Sequence, residues 1–188
     1  MLSQRRGSSY SRELALAVSR GAPLTVGRYL ELATFGDVIA LYKYWFYDVR
    51  RGSDVTPKAV KQLLFPTRML RNASAHNGNL LDTLGKRLAR PIGSIAGIAR
   101  EVYGVDAELV ALTRRFPIVH DLTALLRCHD TLVSGSDSRD DAANGLIVLS
   151  KRLTRHRGYF SKQAELANGL LVLGEIMVAA SERLRVTP

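Results

Sequence analysis

The stretch Leu166-Ala167-Asn168-Gly169-Leu170-Leu171-Val172-Leu173-Gly174-Glu175-Ile176-Met177 sets apolar side chains at positions 166, 170, 173, 176 and 177. Steps of three and four residues return to one face of an α-helix, whereas a half-buried strand needs every second residue. The spacing predicts a helix over about Ser161 to Arg185, its stripe serving as core or as a self-association face rather than as a cofactor site. Just upstream, Ser134-Gly135-Ser136-Asp137-Ser138 reads as a loop, all small or turn-forming residues. Helices are expected on both sides of it, from about Asp140 to Arg155 and from Ile118 to Val133, the latter with Val119, Leu122, Leu125, Leu126 and Leu132 as its apolar positions.

The same period runs through the rest of the chain. Ser11 to Ser19 has helical content, broken by Gly21-Ala22-Pro23. From Leu24 to about Tyr47 the positions Val26, Leu30, Ala33, Val38, Leu41, Trp45 and Val49 predict a helix with an irregularity at Phe35-Gly36, ended by Arg50-Arg51-Gly52-Ser53. Thr56-Pro57 is a start signal, a capping hydroxyl followed by a proline whose φ already suits the first turn. The helix from Lys58 meets Pro66, which kinks it or begins a new one, and continues to His76 before the turn Asn77-Gly78-Asn79. A short helix is expected over Leu80 to Ala89, another from Pro91 to Tyr103, and a third capped by Asp106 and running to Thr113.

Composition agrees with packed helices. The 188 residues are 46% hydrophobic but only 7% aromatic, drawn mostly from Leu, Ala, Val and Ile. The expectation is all-α, in a single domain spanning residues 1–188. With 27 basic against 17 acidic residues the formal charge is +10, which suits an anionic partner, nucleic acid first among them. A solvated basic surface without any polyanion gives the same count. One cysteine, Cys128, allows no intrachain disulfide and no thiolate metal cluster, so no metal and no cofactor are expected. Met1 to Ser11 lacks the apolar core of a signal peptide and no charge-free run of membrane-spanning length exists, so a cytoplasmic protein without a membrane partner is expected.

The chemistry-bearing segment is Leu70-Arg71-Asn72-Ala73-Ser74-Ala75-His76-Asn77. Metal-free RNA cleavage needs a group to take the 2′-hydroxyl proton, a fixed charge on the phosphorane, and a donor for the leaving oxygen. An imidazole can take or give a proton near neutral pH, so His76 suits the first or last task; Arg71 grips phosphate oxygens with a planar fork that never loses its charge. Asn72 and Asn77 can orient a phosphate or the imidazole. Five residues of ideal helix turn the chain by roughly 500°, leaving the two side chains about 140° apart, so they converge only if the helix ends or bends between them. A capping or buried role for both residues is the alternative.

The surroundings of this octet add a family likeness. The stretch from Arg28 to Tyr42, with Phe35-Gly36 leading into a helix, followed some thirty residues later by Leu70-Arg71-Asn72-Ala-Ser-Ala75-His76, resembles the Abi-like proteins of bacterial abortive phage-infection systems, within the HEPN superfamily. The resemblance covers about residues 24–81, with further helices over 92–185. It implies an all-α, HEPN-like bundle, with Arg71 and His76 as the catalytic pair and Asn72 as the polar residue beside the arginine. It also implies a metal-independent endoribonuclease used in phage defence or as a toxin, a homodimer in which two motifs share one cleft, and an antitoxin protein as a further partner. The family often has an arginine three residues after the histidine, where this chain has Asn79, and a longer segment before the match.

Other residues compete for attention. Lys151, Arg152, Arg155, Arg157 and Lys162 lie near Tyr159 and Phe160, a pattern that fits phosphate contacts with rings for base stacking, or an ordinary solvated turn. Arg115 and His120 repeat the motif spacing and read as incidental. His129, beside Cys128 and Asp130, reads as a satisfied structural histidine. Beside the ribonuclease reading stand a non-catalytic helical module that binds RNA or a protein, and an assembly protein that self-associates through its last helix.

Overall fold

A computed structural model describes residues 33–45 and 57–186, together with residues 16, 19–21, 25–27 and 29. The chain divides into two compact units, Met1–Lys58 and Ala59–Pro188. Arg28, Leu30, Val49, the Arg50–Ser53 stop and the Thr56 cap fall outside the described residues. Among those described, every regular element is helical, so the fold class is all-α as composition and period predict.

In the first unit, α1 (Phe35–Tyr44) explains the irregularity at Phe35-Gly36. Thr34 is an N-cap, its hydroxyl accepting the Asp37 N–H at 3.3 Å while the Asp37 carboxylate accepts the Thr34 N–H at 3.1 Å. The expected continuous helix from Leu24 is thus interrupted at Ala33-Thr34, because a Thr-x-x-Asp pair satisfies two end donors by starting a new helix. The Tyr29 hydroxyl reaches across the break to the Asp37 carbonyl at 3.1 Å.

The second unit is built from α2 (Pro57–Ala75) from Ala59 onward, α3 (Gly93–Glu101), α4 (Ala107–Arg115), α5 (Pro117–Leu132), α6 (Ser136–His156) and α7 (Ala164–Val186), with 3-10 turns at Leu80–Gly85 and Arg157–Phe160. Helix α2 starts at Pro57 as expected, and runs on through Pro66 without a second start. Its buried side holds Val60, Leu63, Leu64, Thr67 and Leu70. The core gathers Leu70, Leu84, Val119, Leu122, Leu173, Ile176 and Met177 from four elements, together with Phe116 at the junction of α4 and α5. Helices α6 and α7 form its largest pair. Arg139 meets Leu184 and Ser150 meets Gly174, so residue numbers rise along one helix as they fall along the other and the hairpin is antiparallel. Close approach is needed where the first 3-10 turn meets α7. A Cβ on Gly169 would sit 2.7 Å from the buried Leu84 side chain and 3.4 Å from the Phe116 ring.

By length and composition α7 is apolar enough to cross a membrane, yet its Leu170, Val172, Leu173, Ile176, Met177, Ala180 and Leu184 are buried within the protein.

Two segments depart from the sequence expectation. The helix predicted over Leu80 to Ala89 is only a 3-10 turn ending at Gly85. Beyond it the Leu88 N–H donates to the Arg115 carbonyl at 2.7 Å and the Ile92 N–H to His120 Nε2 at 3.1 Å, so tertiary partners take the donors that a helix would use. The loop predicted over Ser134 to Ser138 is shorter, because α6 begins at Ser136 and the Arg139 N–H bonds the Gly135 carbonyl.

Candidate functional site

Helix α2 carries the octet to an accessible helix end. The Asn77 N–H donates to Ser74 O at 3.1 Å and the Gly78 N–H to Ala73 O at 2.7 Å, with Asn77 left-handed at φ 51°. That pair of bonds is a Schellman closure, which makes His76 the C-cap residue. Gly78 is required there, since a Cβ would lie 2.9 Å from the Ala73 carbonyl oxygen. Arg71, His76 and Asn77 are exposed and Asn72 is half-buried. Arg71 Nη1 donates to Asn72 Oδ1 at 3.2 Å.

The helix does not end between the two principal residues. The His76 N–H still bonds the Asn72 carbonyl at 3.1 Å, so helical phase is kept from Arg71 to the cap. Within that phase Arg71 prolongs the line of Val60, Leu64 and Thr67, the buried side, past the point where burial stops. His76 instead lines up with Phe65, Met69 and Asn72; Phe65 is 57% exposed and Met69 47%. One copy therefore presents Arg71 and His76 from two faces of α2. The motif also sits at the negative end of the helix dipole, so any charge offered to a phosphate comes from side chains.

Arg68 was not among the expected site residues. It lies between the two faces with its guanidinium 5.6 Å from the Phe65 ring centre and its buried Nε without a partner. Its signal in the sequence is a second arginine three residues before Arg71, on the motif's own helix.

The other expected cations lie at the junction of α6 and α7. Lys151, Arg152 and Arg155 are exposed on α6 and Lys162 is exposed beyond the turn, while the Arg157 side chain falls outside what the structure describes. Tyr159 is 80% exposed. Phe160 is half-buried and packs against the core, so of the two rings Tyr159 is the more open. Tyr159 stacks on His156 at 5.3 Å between ring centres.

At the opposite end of the α6–α7 hairpin stands a cluster that the sequence did not announce. Asp130, only 5% exposed in its side chain, accepts from Arg127 Nη1 at 2.7 Å, Arg139 Nη2 at 3.1 Å and Arg183 Nε at 2.7 Å. Arg139 also donates to the carbonyls of Val133 at 2.9 Å, Leu184 at 3.2 Å and Asp130 at 3.3 Å, satisfying carbonyls at the ends of two helices. Burial pushes the Asp130 carboxyl up, but the bonds from Arg183 and Arg139 and the charges of Arg183 and Arg127 overcome it and hold the group below its ordinary value. Neighbouring His129 is held low, by burial first and by Arg139 second. Its buried Nδ1 has no hydrogen-bond partner, so it is not the satisfied histidine expected.

His120 is structural. Its Nε2 accepts the Ile92 N–H, so the ring proton is on Nδ1 and donates to Asp121 Oδ1 at 2.8 Å. Burial raises the Cys128 thiol above its ordinary value, with a bond to Thr67 acting the other way. Among the described residues no group of three or more His, Cys, Asp or Glu could hold a metal. In comparisons with family models, with curated proteins and with solved structures, nothing matches this chain.

Proposed function

We propose that this chain is a cytoplasmic, metal-independent endoribonuclease of the HEPN type, used in phage defence or as a toxin and completed by pairing of two copies. The observation that carries the reading is the exposure of Arg71, His76 and Asn77 together at one capped helix end. In the proposed reaction a neutral His76 takes the 2′-hydroxyl proton and the 2′-oxygen attacks phosphorus. The 5′-oxygen then leaves with a proton from the protonated His76 of a second copy, giving a 2′,3′-cyclic phosphate and a 5′-hydroxyl. Arg71 holds the phosphorane oxygens, and its contact with Asn72 fixes one end of the guanidinium fork. Two copies are needed because the unbroken phase of α2 sets the two residues about 140° apart within each. An antitoxin protein covering the motif would be the corresponding control.

That same phase favours a second reading, a non-catalytic helical module that binds RNA or a protein. Cleavage of single-stranded RNA in EDTA separates the two. His76→Ala removes base and acid together and is expected to lower the rate by more than about 10²–10⁴-fold, the range of a single such group, with helicity unchanged. Mixing Arg71→Ala with His76→Ala protein is expected to restore a small part of the activity, because a mixed pair brings one Arg71 and one His76 to a shared site while still lacking the second imidazole. Equal cleavage by His76→Ala and the parent chain would sink the ribonuclease reading.

A further inference from the structure

From Ala142 to Ala164 the chain has no carboxylate and five cations, Lys151, Arg152, Arg155, Arg157 and Lys162. Elsewhere in the second unit many cations are engaged: Lys86 with Asp82, Arg115 with Glu165, three arginines with Asp130, and Arg185 with Asn144. Lys151, Arg152, Arg155 and Lys162 stand exposed to solvent. Lys151 and Arg155 are four apart on α6, a like-charge pair that costs a few tenths of a kcal/mol in an isolated helix. Attraction of cations to the C-terminal end of α6 accounts for Arg155 and His156, but not for Lys162, which lies beyond that helix.

The aromatic ring supplies the second observation. Tyr159 is 80% exposed, yet its backbone is held in a hydrogen-bonded turn, with the Ser161 N–H on Gly158 O at 3.3 Å and the Gln163 N–H on Phe160 O at 2.9 Å. Phe160 anchors that turn to the core, and His156 backs the Tyr159 ring on one face at an interplanar angle of 26°. The ring is thus stacked on one face and exposed on the other. His156 in turn is one helical turn from Arg152, on the same side of α6.

We infer that the His156–Tyr159 pair is a stacking platform for an unpaired base, with Lys151, Arg152, Arg155 and Lys162 contacting the flanking phosphates: a single-stranded nucleic-acid site apart from the Arg71/His76 motif. A duplex hides its base faces in the stack, so the platform selects single strands. The site stands whether or not the motif cleaves.

Fluorescence anisotropy with a labelled 12-nucleotide RNA, on a His76→Ala background and with the length of the RNA checked on a gel after each titration, tests it. Tyr159→Ala is expected to weaken binding by roughly 5- to 100-fold while Tyr159→Phe retains it, the range for one stacked base. Neutralising Lys151, Arg152 and Arg155 to Gln is expected to reduce the slope of log affinity against log salt by about 2. A DNA strand of the same sequence that binds equally supports a platform blind to the 2′-hydroxyl, and one that binds more weakly supports a platform that reads it. Tyr159→Ala protein that remains folded by circular dichroism and binds like the parent would overturn the assignment. So would a loss of duplex binding equal to that of single strands. Neither result bears on cleavage, and unaltered cleavage by His76→Ala would leave the platform standing.

Discussion

The two ends of the α6–α7 hairpin use the same residue types in opposite ways. At one end Arg127, Arg139 and Arg183 converge on a single buried carboxylate, and Arg139, 4% exposed, spends its remaining donors on backbone carbonyls. At the other, Lys151, Arg152 and Arg155 face solvent beside a stacked and exposed tyrosine. Positive charge that is enclosed and fully engaged holds helices together, whereas positive charge left without a carboxylate remains free to bind something else. A count of +10 cannot tell the two apart.

Substitutions at each end sharpen this contrast. The largest effect is expected from Arg139→Met, which strips Asp130 of a buried partner and leaves the Val133 and Leu184 carbonyls unsatisfied. Urea unfolding should show a loss of about 3–5 kcal/mol, as for other broken buried pairs. A loss below about 1 kcal/mol would mean that the enclosed end does not hold the hairpin. A smaller effect is expected on acidification. His129 is held below its ordinary 6.5 and Asp130 below its ordinary 3.8, so in both cases the unfolded chain binds protons first as pH falls. Their contribution is complete above pH 6.5. It declines below that value through His129, and again below 3.8 through Asp130. Unfolding midpoints measured from pH 7.5 to 5 should fall in the parent and fall less in His129→Gln; parallel curves would contradict the burial of that imidazole. The smallest effect belongs to the open end. Lys151→Glu replaces a like-charge pair with a Glu-to-Arg pair four residues apart and should raise stability by about 0.4–1 kcal/mol while weakening RNA binding. Thermal melts and anisotropy on one preparation would read both signs.

The difference between the ends also marks what the sequence could disclose. Helices with a strong apolar period, such as α5 with Leu122 and Leu126 and α7 with Leu170 and Leu173, were legible to within a few residues, because burial of one face is written at every third or fourth position. The segment 86–92 was not, because its backbone donors are taken by Arg115 and His120, and nothing local signals a partner some 28 residues away. The cluster on Asp130 was invisible for the same reason: Arg127 is three residues off, but Arg183 is 53. The octet from Leu70 to Asn77 was legible as residues and as a helix end, with Asn77-Gly78 as its turn. Which faces its members occupy follows from helical phase once the cap is placed at His76 rather than between Arg71 and His76.

The bonds of segment 86–92 bear on more than its shape. The amide hydrogens of Leu88 and Ile92 are engaged as firmly as those of a helix, in a stretch that no helix contains. Its stiffness is borrowed from the end of α4 and from a buried imidazole. Exchange of those two hydrogens with solvent therefore waits on opening of the surrounding core, and an irregular stretch becomes a gauge of how tightly the second unit is closed.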